Sequence, residues 1–177
     1  MELLEATVTV EGLDAFVAQL GEIGDEHGVA IQALDARYIV DREHLQRAVE
    51  LADRAFKRGD NIAEDRAVEI LLYTAGTRQI SRALELGVEP GGCPAIIVAH
   101  DPTTGTESAD ENGSPGNERA ALRAVRSLGD IEPEPTLGVY DEQRVREWFE
   151  IADAELRTGG DLAALVRERV ALLVVEK

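Results

Sequence analysis

The stretch VAIQALDARYIVDREHLQRAVELADRAFKRG, residues 29–59, holds the two patterns that decide the fold class. In residues 29–40, Val29, Ile31 and Ala33 alternate with other side chains, which is the two-residue period of a strand. From Asp41, a residue suited to cap a helix, apolar residues recur at helical spacing until Gly59. A strand followed by an amphipathic helix predicts that helices pack on a sheet.

The same two patterns recur on either side of this stretch. Residues 3–12 alternate as a half-buried strand, and PAIIVAH, residues 94–100, is a continuous apolar run typical of a fully buried strand. We predict helices over 13–26, 41–59, 65–75, 78–86, 118–128, 141–156 and from Asp161, a loop around Pro133 and Pro135, and a strand-like end over 170–176. The fold class is therefore α/β, mixed α+β, with a few-stranded sheet and interleaved helices in a single compact domain, 1–177. The direction of strand pairing stays open.

Residues 101–118, DPTTGTESADENGSPGNE, contain almost no apolar side chain. Such a segment cannot bury enough surface to offset the entropy of ordering it. We therefore expect an acidic, flexible surface loop at 101–118 within the domain.

The composition is strongly acidic, with 35 acidic residues against 18 basic ones, a net charge of −17, and 16 arginines among the basic residues. This bias is typical of a high-salt cytoplasm, where carboxylates keep a protein soluble. No basic footprint of a classical nucleic-acid reader is present, so any RNA binding must rest on a local patch. The chain shows neither a signal peptide nor an apolar run of the roughly 18 residues that a span requires, so we expect a cytoplasmic protein without a membrane partner.

The sequence shows no catalytic motif. His27, His44 and His100 are scattered, and neither a zinc-protease pattern, a phosphate loop nor a nucleophile elbow occurs. We predict no catalytic residue, no metal, no cofactor and no small-molecule substrate. The alternative is a small acidic α/β enzyme or ligand-binding domain whose site the sequence hides.

One window departs from the acidic background. LLYTAGTRQI, residues 71–80, lies in a segment without acid between Glu69 and Glu85, yet Arg78 and Arg82 sit there one helical turn apart. Residues 77–79 would form the first turn of the predicted helix, where free N–H groups favour an anion. In that helix Ile80, Ala83 and Leu84 are expected to be buried. The window is therefore either a small phosphate site or a pair of arginines that reach carboxylates of other segments.

The segments IQALDARYIVDREHLQRAVELADRA and NIAEDRAVEILLYTAGTRQISRALELGV closely resemble the family of the small regulatory subunit of the KEOPS complex. The resemblance covers roughly residues 29–100, with the loop at 101–118 as an insertion. It is carried by Ala33, His44, Ala48, Asn61-Ile62-Ala63, Glu69-Ile70-Leu71-Leu72, Gly76, Arg78-Gln79-Ile80, Ala83 and Gly87.

The resemblance implies a subunit without catalytic activity of its own. Members of this family bind the kinase-like ATPase subunit of KEOPS and help to recruit tRNA, by its single-stranded CCA end, for threonylcarbamoyladenosine modification. Carried over by position, Arg78 would contact a phosphate or stack on a base, Gln79 would read a base edge, and Gly76 would allow close backbone approach. Asn61 is either an RNA contact or a turn residue, and His44 either a supporting or a surface group.

The resemblance also implies a partner surface in the C-terminal part of the chain. In the last predicted helix, Leu162, Leu165 and Val166 form an apolar stripe. Such a stripe is either core or a face that docks the kinase-like subunit.

Overall fold

A four-stranded antiparallel sheet of order β2-β3-β1-β4 lies at the centre of the protein. The structure is a computed structural model that describes residues 1–103, 116–157 and 160–175. The strands are β1 (Glu2–Val10), β2 (Ala30–Asp35), β3 (Gly91–His100) and β4 (Ile131–Pro133). The predicted mixed α+β class is confirmed, and the open question of strand direction is settled as antiparallel.

Helices cover both faces of this sheet. They are α1 (Leu13–His27), α2 (Arg42–Arg58), α3 (Arg66–Ala75), α4 (Ile80–Ala83), α5 (Asn117–Arg126), α6 (Glu142–Trp148), α7 (Asp153–Arg157) and α8 (Leu162–Leu172). One core lies on the face covered by α1 and α5, and the other lies under α2, α3 and α8. In β3, Ile96 and Val98 are buried in the second core, whereas Ala95 and Ala99 are buried in the first. This strand is thus buried on both faces, as its apolar run predicted.

Local signals explain where the two central helices begin and end. The Asp41 carboxylate accepts a hydrogen bond from the His44 N–H at 2.7 Å and begins α2, and the Asp65 carboxylate does the same for α3. Gly59 and Gly76, with φ of 71° and 62°, end these helices in the left-handed region that favours glycine. The helix predicted over 41–59 is confirmed.

The strand predicted over residues 29–40 is too long, because β2 ends at Asp35. The Asp35 carboxylate accepts hydrogen bonds from both the backbone N–H and the guanidinium of Arg37, each at 2.9 Å. These bonds turn the chain into the 3₁₀ turn Ala36–Tyr38.

The C-terminal third also differs from its predicted elements. The helix predicted over 141–156 is two helices, α6 and α7, because Glu150 adopts a φ of 54° and the Ile151 N–H bonds back to the Arg146 carbonyl. Residues 170–172 continue α8 and 173–175 form a turn, so the strand expected there is wrong; residue 176 lies outside the described residues. Residues 131–133, predicted as loop, pair with β1.

Most of the predicted acidic loop at 101–118, residues 104–115, lies outside the described residues. Both ends of the segment are buried rather than exposed, since Asp101 and Glu118 are 4% and 9% accessible. The Glu118 carboxylate accepts a hydrogen bond from the Asp101 N–H at 2.9 Å and pairs with the Met1 amine at 2.7 Å. Helix α5 already begins at Asn117.

Candidate functional site

The C-terminal end of α3 forms the base of the candidate site. A helix leaves its last four carbonyl groups without partners inside the helix. Here each of the four accepts a hydrogen bond from elsewhere in the chain. The pairs are Thr77 N to Leu72 O at 3.2 Å, Gly76 N to Tyr73 O at 3.1 Å, His44 Nε2 to Thr74 O at 2.9 Å and Trp148 Nε1 to Ala75 O at 2.9 Å. The end of α3 is thereby tied to α2 and α6.

Gly76 turns the chain across this helix end. A Cβ at this position would lie 3.5 Å from Phe149 Cε1 and 3.7 Å from the Arg169 carbonyl oxygen, which is ordinary contact. The requirement for glycine therefore comes from its φ of 62° rather than from crowding. After the turn, the Thr77 hydroxyl accepts a hydrogen bond from the Gln79 N–H at 3.2 Å.

The helix predicted over residues 78–86 is wrong in its extent. Helix α4 begins only at Ile80 and ends at Ala83, and the 3₁₀ turn Leu84–Leu86 follows. Because residues 77–79 belong to the turn after α3, they do not form a helical first turn, and the expected anion site on helix N–H groups is absent. Ala83 is buried as expected, but Ile80 and Leu84 are 45% and 60% exposed.

A groove of about 550 Å³ opens beside this turn. We call it the Arg78 groove. It brings together four of the residues singled out from the sequence with residues at the end of α6, just after α6, and in the last turn of α8. Its lining includes Gly76, Thr77, Arg78, Gln79, Arg82, Trp148, Phe149, Glu150, Arg169 and Leu172.

The three arginines of the Arg78 groove are held to different degrees. Arg78 is exposed and makes no hydrogen bond or ion pair with any residue that the structure describes. Arg82 donates to the Trp148 carbonyl at 3.3 Å, lies 5.0 Å from the centre of that indole ring, and stands 3.7 Å from the Glu150 carboxylate. Arg169 pairs with Glu155 at 2.6 Å. Within the described residues, Arg78 is thus the arginine of the groove that no carboxylate or carbonyl group holds.

His44 lies beneath the groove and not at its surface, so the surface alternative for this residue is wrong. Its imidazole is fully buried and packs edge-on against Phe149, with ring centres 5.7 Å apart. Because the Thr74 carbonyl accepts from Nε2, Nδ1 carries no proton, and it has no partner among the described residues. Burial lowers the pKa of His44 to about 4, so the ring is neutral near pH 7.

Asn61 lies in the turn between α2 and α3 and is not among the lining residues of the Arg78 groove. Its side-chain amide donates to the Ala63 carbonyl at 2.9 Å. The buried Glu69 carboxylate accepts from the Ile62 and Ala63 N–H groups at 3.0 and 2.8 Å. The motif that includes Asn61 is thus held as a turn by a carboxylate from α3.

The apolar stripe of the last helix lies mainly in the core. Leu162 and Val166 are buried, and Leu165 is half-buried against the same core. Exposed apolar side chains occur instead at the end of α8 and just beyond it, at Leu172, Val174 and Val175. In this chain the stripe therefore packs α8 against α2 and α3.

Trp148 and Arg169 are groove residues that sequence reasoning missed. They are more than sixty residues from the 71–80 window and reach it only through the packing of α6 and α8. The one signal in the sequence was that Trp148 is the single tryptophan of a chain poor in aromatic residues.

A separate cluster of titratable groups surrounds His100. Its Nε2 donates to the Asp53 carboxylate at 2.8 Å, and Nδ1 lies 3.7 Å from Glu118. Burial opposes the charge of His100, but the hydrogen bond to Asp53 and the nearby Glu118 carboxylate outweigh it and raise its pKa. Burial likewise opposes ionisation of Glu118, yet the interactions with His100 and with the Met1 amine lower its pKa to about 2. These ion pairs tie β3 to α2 and α5.

Metal clusters and membrane-spanning helices are both absent from the part of the chain that the structure describes. No group of three or more His, Cys, Asp or Glu residues there is placed to hold a metal ion. No helix among residues 1–103, 116–157 and 160–175 is long and apolar enough to cross a membrane.

The described residues thus form a mixed α+β fold in which an arginine-lined groove lies beside the end of α3. The chain matches the model of the family described as kinase binding protein CGI-121 over residues 14–173. It therefore belongs to that family, which is the family of the KEOPS small regulatory subunit, and the predicted resemblance is confirmed. A comparison with curated proteins found none that matches.

Proposed function

We propose that this protein is the non-catalytic, cytoplasmic regulatory subunit of KEOPS, which binds the kinase-like ATPase subunit and the CCA end of tRNA. Family membership supports the kinase-like partner and a regulatory role. In KEOPS the chain would serve threonylcarbamoyladenosine modification by positioning tRNA, without a metal, a cofactor or a small-molecule substrate of its own.

The observation that carries the RNA part of this proposal is Arg78. In a chain of net charge −17 with 35 acidic residues, Arg78 is an exposed guanidinium that lines a groove and has no carboxylate partner among the described residues. The single-stranded end of tRNA offers phosphates and unstacked bases, and both suit an arginine plane and an aromatic ring. The Arg78 groove supplies these groups in one place.

Each groove residue has a role in the proposal. Arg78 binds a phosphate or stacks on a base, and the exposed amide of Gln79 reads a base edge. Gly76 allows the protein backbone to approach the RNA strand closely. Arg82 rests on the Trp148 ring and presents a preformed cation beside an aromatic surface. His44 and Asn61 act through the backbone they hold rather than by touching RNA.

Binding of the isolated chain should be weak. A polyanion is repelled by the net negative charge at low salt, and the salt that relieves this repulsion also weakens phosphate contacts. Stacking and hydrogen bonds must therefore carry more of the affinity than charge does, and the kinase-like subunit is expected to strengthen it.

The kinase-like partner is placed at the C-terminal part of the chain. Leu162 and Val166 support α8 from within, Leu165 is half-buried, and Leu172 and Val175 are 43% and 75% exposed. A Val175→Asp variant is expected to weaken binding of the kinase-like subunit in calorimetry, because it places a charge in an apolar contact. Val139→Asp is the matched control, since Val139 is 68% exposed on a different segment. Equal affinity of the Val175→Asp variant and the wild type would refute this placement.

The RNA role is tested by binding of the full chain, at high salt, to tRNA with and without its CCA end. Wild type should prefer the intact tRNA, and Arg78→Ala should lose that preference. Arg126→Ala is the matched control, because Arg126 is also exposed and unpaired within the described residues but lies on α5. If wild type bound both tRNAs equally, the groove would have no role in recognising the CCA end.

A further inference from the structure

A second cavity, of about 350 Å³, adjoins the Arg78 groove and shares Arg78 with it. We call it the α2 cavity. Its polar lining comes from α2, the turn after α2, and α3. The residues that matter are Arg54, Arg58, Asp60, Tyr73, Arg78 and Val174. None of Arg54, Arg58 and Tyr73 belongs to the groove already described.

The α2 cavity brings together arginines that form no ion pair with any described residue. All 16 arginines lie in the described ranges, and nine of them pair with a carboxylate within 4 Å. Arg54, Arg58 and Arg78 are three of the seven that pair with no carboxylate in the part of the chain that the structure describes. Arg54 and Arg58 stand four residues apart on α2, where like charges repel each other. Of the described residues that line the cavity, Asp60 is the one with a carboxylate.

Tyr73 adds a hydroxyl group to this set. Its side chain is 4% exposed and lines the cavity, and its hydroxyl makes no hydrogen bond with any described residue. Burial raises the pKa of Tyr73, so the hydroxyl keeps its proton near pH 7. An oxyanion in the cavity would accept a hydrogen bond from this hydroxyl.

We propose that the α2 cavity binds a phosphodiester group of the RNA strand next to the nucleotide held in the Arg78 groove, and this rests on the proposed function. Arg54, Arg58 and Arg78 supply the positive charge, and the Tyr73 hydroxyl donates a hydrogen bond. Arginine suits a phosphate because its planar fork can donate two parallel hydrogen bonds. RNA is favoured over an acidic protein segment because the cavity is continuous with the Arg78 groove through one shared guanidinium.

The test measures affinity of the full chain for a single-stranded RNA oligonucleotide ending in CCA, over a range of salt concentrations. Arg54→Ala and Arg58→Ala are each expected to weaken binding by roughly 3- to 10-fold, with preference for the CCA end retained. Each should also reduce the slope of log K against log salt, by about 0.7 for each phosphate that is no longer neutralised. Tyr73→Phe should weaken binding with less change in that slope, and Arg126→Ala should match wild type in both measures.

A second arm replaces single linkages of the oligonucleotide by neutral methylphosphonates. One replaced linkage should weaken binding to wild type but not add to the effect of Arg58→Ala, because both changes remove the same interaction. If inorganic phosphate binds in an Arg58-dependent way while no linkage shows this coupling, the cavity is a site for free phosphate and the assignment to RNA is overturned.

Failure of this inference differs from failure of the proposed function. If Arg54→Ala and Arg58→Ala bind RNA as wild type does while Arg78→Ala loses binding, the α2 cavity is not a phosphate subsite and the Arg78 groove stands. If the α2 variants instead lose only the kinase-like partner, the cavity holds an acidic protein segment and the inference is wrong. If Arg78→Ala also binds CCA-ended RNA as wild type does, both this inference and the RNA part of the proposed function are wrong.

Discussion

The buried imidazole of His44 should make the stability of this protein depend on pH. The Nε2 proton is bonded to the Thr74 carbonyl, and Nδ1 has no partner among the described residues. Protonation would place a charge and an N–H group without an acceptor in the core. Burial accordingly lowers the pKa of His44 to about 4, against 6.5 for an ordinary imidazole.

The sign and size of the effect follow from this difference. The folded protein favours the neutral ring, so this contribution is fully present above about pH 6.5 and is lost as the pH falls toward 4. One pKa unit corresponds to about 1.36 kcal/mol. Between about pH 6.5 and pH 4.5 the free energy of unfolding should therefore fall by about 2 kcal/mol because of His44 alone.

The assay is urea unfolding at constant high salt, with wild type compared with His44→Gln. Glutamine keeps a donor for the Thr74 carbonyl but does not titrate, and the surface carboxylates are the same in both chains. The raised pKa of His100 acts mainly above pH 6.5, and the lowered pKa of Glu118 acts below its ordinary value of 4.5. Parallel profiles of the two proteins between these limits would refute a neutral, buried His44.

Four further variants test the helix ends and turns around α3. Gly76→Ala and Gly59→Ala should each lower the free energy of unfolding in urea by about 1 kcal/mol, because both glycines have positive φ. Only Gly76→Ala should also weaken binding of CCA-ended RNA. Equal RNA affinity of the two variants would contradict this. Glu69→Gln should lower the free energy of unfolding by at least about 2 kcal/mol, because charge-assisted bonds to the turn at 62–63 are weakened. Trp148→Phe should cost about 1 kcal/mol, because the Ala75 carbonyl loses its donor, and an unchanged unfolding midpoint would show that this bond is not formed in solution.

The helix ends that depend on a single residue could be predicted from the sequence. Asp41, Gly59 and Gly76 begin or end helices through their own side chain or backbone, and no distant residue is needed to see it. The continuous apolar run of β3 indicated that this strand is buried on both faces.

The failures have tertiary causes. Helix α6 ends where Trp148 docks on the Ala75 carbonyl and the chain turns at Glu150, a break that helical periodicity did not show. Helix α4 is short because residues 77–79 are used by the turn that ends α3.

Part of the candidate site could be predicted from the sequence, and part could not. Gly76, Arg78, Gln79 and Arg82 are close in sequence, and the acid-free window contains all of them. Arg169 comes from α8, and Arg54 and Arg58 from α2, so only the packing of these helices brings them to Arg78. Nothing in the spacing of these residues indicates that they share a surface.

The most direct measurement of the central claim is where the 3′ end of tRNA lies on the protein. A tRNA carrying a photoreactive base at its terminal adenosine would be crosslinked to the complex of this chain with the kinase-like subunit, and the modified peptide identified by mass spectrometry. The account predicts crosslinks within residues 76–82 or at Trp148, and their loss in Arg78→Ala but not in Arg126→Ala. Crosslinks confined to other surfaces, unchanged by Arg78→Ala, would contradict it.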